Sequence, residues 1–157
     1  MDIRENFDNI KREISEACGK VDRSPEDIKV IAVTKYVTDA RVEQAIEAGV
    51  DAFAENRPQN YLERKQKYSD KEWHLIGSLQ TRKVRDVINH VDYFHALDRE
   101  SLAKEIEKRA EDKVNCFVQV NVSGEESKHG LTSHETIEFI KGLGKYSKIN
   151  VIGLMTM

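Results

Sequence analysis

The chain has 157 residues, of which 39% are hydrophobic and 34% charged, with a net charge of −3. That composition predicts one well-packed, heavily solvated domain over residues 1–157. Acids and bases are interspersed and no apolar run reaches membrane-spanning length, which argues against both a nucleic-acid footprint and a membrane span.

The first element is a helix with Ile3, Phe7, Ile10, Ile14 and Ala17 on one face, spaced three or four apart. Ser24-Pro25 then marks a turn or a short helical start. An apolar strand follows over residues 28–35 and ends on Lys35. A helix near 38–48 turns Val42, Ala45 and Ile46 inward and stops at Gly49. After it come a strand at 51–55, a helix at 58–69, a strand at 72–77 and a helix at 81–90 with Val84, Val87 and Ile88. The strand at 92–97 leads to a helix at 99–112 presenting Leu102, Ala103, Ile106 and Ala110. A continuous apolar strand at 115–122 precedes the charged loop SGEESKHGL. A capping box, Thr132 with Glu135, opens the last helix, and the sixth strand covers 149–155.

Strands alternating with amphipathic helices predict an α/β fold with a parallel sheet. An open, doubly wound sheet for a nucleotide calls for a glycine-rich first turn, and Thr34-Lys35-Tyr36-Val37 has no glycine. The pattern favours a (β/α)8 TIM-barrel type. A complete barrel of that type has eight strands and about 250 residues. About six βα units are present, so the barrel is read as incomplete, without its last two strands.

Barrel chemistry gathers at the C-terminal strand ends. Those ends carry Lys35, Asn56, Ser78, Gln80, Asp98, Asn121 and Met155. Taken alone, Lys35 is readily explained as a lysine extending its charge into water. The sharper alternative is an amine with a lowered pKa, free to attack a carbonyl. His74, inside the third strand, reads as a core histidine with one hydrogen bond, and Asn56 as an ordinary residue ahead of Pro58. The five histidines show no metal-ligand spacing, and no Gly-x-Ser-x-Gly elbow is present. Cys18 and Cys116 lie apart in apolar contexts, which speaks against a disulfide framework or a zinc site. The polar N-terminus is no signal peptide, so a reduced, cytoplasmic chain is expected and the Asn121-Val122-Ser123 sequon is chance.

The runs IAVTKYV, FAENRPQNYLERK, WHLIGSLQTRKVRDVIN, FVQVNVSGEESKHGL and VIGLMTM, in this order, closely resemble the pyridoxal phosphate homeostasis protein family. Its members are single-barrel relatives of the alanine racemase N-terminal domain. The resemblance implies that Lys35 forms an imine (Schiff base) with pyridoxal 5′-phosphate and that Asn56 stands near the cofactor. It also implies that His74, Ile76 and Met155 line the pocket. A carrier or buffer of pyridoxal phosphate, without established catalytic turnover, is the expected role, with PLP-dependent apoenzymes as recipients. A racemase-like enzyme is the alternative. It would need an opposing acid or base, which the sequence does not offer clearly. A cofactor-free Schiff-base aldolase would need a carboxylate near Lys35, for which Glu55 is the candidate. Family members continue beyond GLMTM into strands that hold the cofactor phosphate, so a fragment with weaker retention is expected.

Overall fold

The computed structural model describes residues 2–126 and 129–157. Two compact units are distinguished, Met1–Phe53 and Ala54–Met157, with the division running through the second strand.

In the first unit, helix α1 (Ile3–Gly19) is capped by Asp2, whose carboxylate accepts the Arg4 N–H at 2.9 Å. A single 3₁₀ turn, Pro25–Asp27, is capped by Ser24 with proline in its first turn. Strand β1 (Ala32–Val33) follows, then helix α2 (Asp39–Glu47) with Thr38 as its cap. The Arg4 guanidinium of α1 donates to the Glu47 carbonyl and ties the two helices together. Beyond α2, Val50 N–H reaches the Ala45 carbonyl and Gly49 N–H reaches that of Ile46. This paired closure requires the left-handed backbone that Gly49 supplies at φ +101°. The helix stop expected at Gly49 is therefore made by a specific C-terminal motif.

The second unit is layered. After β2 (Ala52–Glu55) come α3 (Pro58–Lys67), β3 (Glu72–Leu75) and α4 (Thr81–Val87), the last extended by a 3₁₀ turn at Ile88–His90. They are followed by β4 (Tyr93–Leu97), α5 (Glu100–Arg109), β5 (Val114–Gln119), α6 (Ser133–Leu143) and β6 (Ile149–Met155). The end of β2 bonds β3 through Ile76 N–H to the Glu55 carbonyl at 2.9 Å. Strands β3 to β6 then pair in parallel and in chain order, with His74 opposite Tyr93, Phe94 opposite Cys116 and Cys116 opposite Val151.

Strand parity separates two environments. Trp73, Leu75, Phe94, Cys116 and Val118 are buried together with Leu102, Ala103 and Ile106 of α5 and Val84 and Val87 of α4. Burial pushes the Cys116 thiol up to about 12, so it is an inert core group. Tyr61 of α3 is enclosed as well. Its hydroxyl donates to the His90 carbonyl at 3.0 Å and accepts the Asp92 N–H at 3.0 Å, which satisfies the buried oxygen. Asp92 in turn accepts from Trp73 N–H at 3.1 Å and from Lys65 at 2.6 Å. Lys65 thus joins α3 to the approach of β4.

The first strand departs from its expected span. Residues 28–35 were the apolar run, and the strand itself is only Ala32–Val33. Val37 N–H closes a turn onto the Thr34 carbonyl at 3.1 Å, with Lys35 and Tyr36 as its central residues. The strand thus ends before the lysine, and Tyr36, which follows it, takes the left-handed φ of 64° within the turn.

Candidate functional site

Lys35 sits in that turn just past β1, with its side chain exposed. The turn has an unusual feature next to the amine. A tyrosine at positive φ is disfavoured by its Cβ, by about 1–2 kcal/mol. Tyr36 is 82% exposed, so no packing of its ring offsets that cost. Thr34, on the other side of Lys35, is buried and anchors the turn.

In the second unit the polar strand ends form a rim. Asn56 follows β2, and Ile76-Gly77 follow β3 against it. A Cβ on Gly77 would stand 2.1 Å from the Asn56 carbonyl oxygen and 3.0 Å from the Asn56 Cβ, so only glycine permits this approach. Asn56 and Ile76 are both half-buried at this junction. Beyond β4, Arg99 donates to Asp98 at 2.9 Å and to the Leu79 carbonyl at 2.6 Å, clamping neighbouring strand-end segments. Beyond β5, Asn121 organises the loop. Its amide donates to the Glu125 carbonyl at 2.6 Å and its Oδ1 accepts Gly124 N–H at 3.1 Å. Leu131 N–H returns to the Gln119 carbonyl at 2.9 Å, and Gly130, at φ +116°, fits where a Cβ would meet the Asn121 nitrogen at 2.9 Å. Within this charged loop, Ser127 and Lys128 lie outside the described residues.

Met155 closes β6, where its carbonyl accepts Val120 N–H at 2.8 Å. It lies opposite Gln119, so β4 and β5 separate it from Ile76. His74 is 2% exposed, with both ring nitrogens engaged: Nδ1 lies 2.7 Å from His95 Nε2, and Nε2 lies 2.7 Å from Glu72 Oε1. Its ring stacks on Tyr93 at 4.5 Å, and His95 packs on Phe117 at 4.3 Å. Burial, with the neighbouring His74, holds His95 down at about 4. His95 is thus neutral at physiological pH and can accept a proton bond from His74 through Nε2. His74 is a supporting group inside the sheet, two residues below Ile76. Glu55, the carboxylate weighed for an aldolase, is 1% exposed, and its Oε1 meets Arg64 Nε of α3 at 3.4 Å. It is held by the helix layer.

Sequence reasoning passed over His95, Glu72 and Arg99. One signal was available: Trp73-His74 and Phe94-His95 repeat an aromatic–histidine step in consecutive strands. Among the described residues, no group of three or more His, Cys, Asp or Glu could hold a metal ion.

The parallel βα units and their polar C-terminal rim define a fold of the (β/α)8 barrel type, with six strands among the described residues. The sequence model of the family "Alanine racemase, N-terminal domain" matches residues 3–157. Alanine racemase of Clostridium difficile, at a TM-score of 0.76 and 19% identity, shares the fold over 99% of this chain and 42% of its own. The chain belongs to the pyridoxal phosphate homeostasis protein family: it is 34% identical to the member from Haemophilus influenzae, over 100% of this chain and 69% of the relative. The member from Aquifex aeolicus is 33% identical over 100% of this chain and 71% of its own length. A protein of unknown function from Bifidobacterium adolescentis superposes with a TM-score of 0.86 at 29% identity, covering 99% of this chain and 69% of its own. PipY of Synechococcus elongatus, solved with PLP bound, gives 0.74 at 25% identity over 92% of this chain and 70% of its own.

Proposed function

We propose that this chain binds pyridoxal 5′-phosphate through Lys35 and acts in cytoplasmic pyridoxal phosphate homeostasis as a carrier or buffer. In this reading residues 1–157 work as one domain, which the uninterrupted family match over 3–157 supports. PLP-dependent apoenzymes are the recipients. The observation that carries the proposal is the turn after β1: an exposed primary amine beside a tyrosine at φ 64°. Backbone strain at a surface turn persists where it serves a site.

The residues fit the cofactor's reactive half. When bound, the cofactor supplies an aldehyde that a primary amine can engage reversibly, and Lys35 supplies the amine. Asn56 offers an amide that both donates and accepts, held at the strand ends by the glycine contact at Gly77. Ile76 and Met155 provide apolar surface. His74 acts from beneath, its ring fixed by Glu72 and His95 so that the strand carrying Ile76 keeps its place. This arrangement supports a carrier over a racemase, because both ring nitrogens of His74 are engaged and burial holds His95 well below neutral pH. Among the described residues no helix is long and apolar enough to cross a membrane.

The test is an absorbance titration of the purified chain with pyridoxal phosphate, followed by borohydride reduction and peptide mapping. A visible-edge band with the reduced adduct on Lys35, lost in Lys35→Ala, is the expected result. An adduct on other lysines, undiminished in Lys35→Ala, refutes the proposal. Turnover of an amino acid by the loaded chain would establish the racemase reading instead.

A further inference from the structure

A cavity of about 480 Å³ opens between α3 and α4 in the second unit. That volume lies in the range of small-molecule sites, about 300–1,000 Å³. Pro58 and Leu62, one helical turn apart on α3, form a half-buried apolar wall. Arg57 stands at the entry to α3. Across from it, Lys83 and Asp86 come from one face of α4, and Ser78 and Gln80 from the segment after β3. Nothing in the reading of Lys35 uses these groups.

The charges decide what fits. Arg57 and Lys83 approach the space from the starts of two different helices, and neither side chain is in an ion pair or hydrogen bond among the described residues. Asp86 is the single acid of the lining, and its nearest cation is its chain neighbour Arg85 at 3.7 Å. The lining therefore carries a net positive charge. Gln80 is oriented by Arg82, whose Nε donates to Gln80 Oε1 at 3.0 Å, leaving the Gln80 amide N–H groups as the available donors. A guanidinium, an ammonium, a hydroxyl and an amide thus surround a space with one apolar side. Such a donor set suits a group with three acceptor oxygens more than a planar carboxylate.

We propose that this cavity is a binding site for a small phosphate monoester, its phosphate held by Arg57, Lys83, Ser78 and Gln80 and its apolar body lying on Pro58 and Leu62. Lys35 is not among its lining residues, and the site needs no aldehyde. Asp86 limits its strength, so dissociation constants on the order of 1 mM are expected for a minimal ligand.

Phenyl phosphate is a suitable probe, because it has no carbonyl for Lys35 to engage. Titrating it into the isotope-labelled full chain should give saturable amide shifts at Leu62, Ser78 and Gln80. The double substitution Arg57→Ala with Lys83→Ala should weaken binding at least about tenfold. Both side chains are exposed, so the fold should be unaffected. Asp86→Asn should tighten binding about threefold, and phenol should give no saturable shift. Absence of saturable shifts at these residues overturns the proposal. So does binding that is undiminished in the double variant, or phenol binding as well as its phosphate ester. Borohydride labelling of Lys35 is read separately, so failure here and failure at Lys35 are distinguishable.

Discussion

Replacing His95 by glutamine removes one buried titration while keeping an acceptor where Nε2 meets His74. In the native chain His95 is held at about 4, against an ordinary value of 6.5, by burial first and by His74 second. The unfolded chain therefore binds more protons than the folded one between those two values. The sign follows from linkage: stability present above about 6.5 is lost as pH falls toward 4. A displacement from 6.5 to about 4 corresponds to about 3 kcal/mol at roughly 1.4 kcal/mol per pH unit. The ring is half-buried, and solvent screening reduces this to about 2 kcal/mol. Urea unfolding of native and His95→Gln chains, at matched ionic strength from pH 7.5 to 4, measures the effect. Carboxylate titrations are common to both chains and cancel in the difference. The native chain should lose about 2 kcal/mol more than the variant across that interval. Parallel stability curves would refute the assignment of an acid-sensitive imidazole pair inside the sheet.

Two further substitutions probe the strand ends. Gly77→Ala places a Cβ against the Asn56 carbonyl, a backbone atom that cannot turn aside. It should cost at least about 2 kcal/mol in urea unfolding, and a loss well below 1 kcal/mol would contradict the close approach. Tyr36→Asn puts a residue tolerant of left-handed geometry at φ 64° and sacrifices little packing. It should raise stability by about 0.5–1 kcal/mol while leaving the turn intact; a destabilised chain would show that the tyrosine ring, and not backbone strain, defines the turn.

Much of the architecture was legible in the order of residues, because the signals are local. Thr132 and Glu135 announce the start of α6, and the structure closes that cap with the Thr132 hydroxyl accepting Glu135 N–H at 3.2 Å. Gly49 announces the end of α2, and Val42 with Ala45 identify its inward face. Caps, stops and apolar periods act over about four residues, and the chain carries them in plain view. Lys35 was legible as well, although as the tip of a strand. Only the turn between Thr34 and Val37 shows that the amine stands just beyond it.

The remaining features depend on strand register and on how helices lie beside one another. His74 and His95 are 21 residues apart and meet because β3 and β4 pair with His74 opposite Tyr93. Gly77 has a steric role only because Asn56 lies against it, and Arg57 shares a cavity with Lys83 only because α3 and α4 adjoin. A one-residue change of register would turn the imidazoles to the opposite face without altering a single local propensity. The sequence alone determined which elements form, where they stop and which lysine follows the first strand. Tertiary pairing decided which side chains from different strands and helices share one environment, because those contacts are set by register and packing across the sheet.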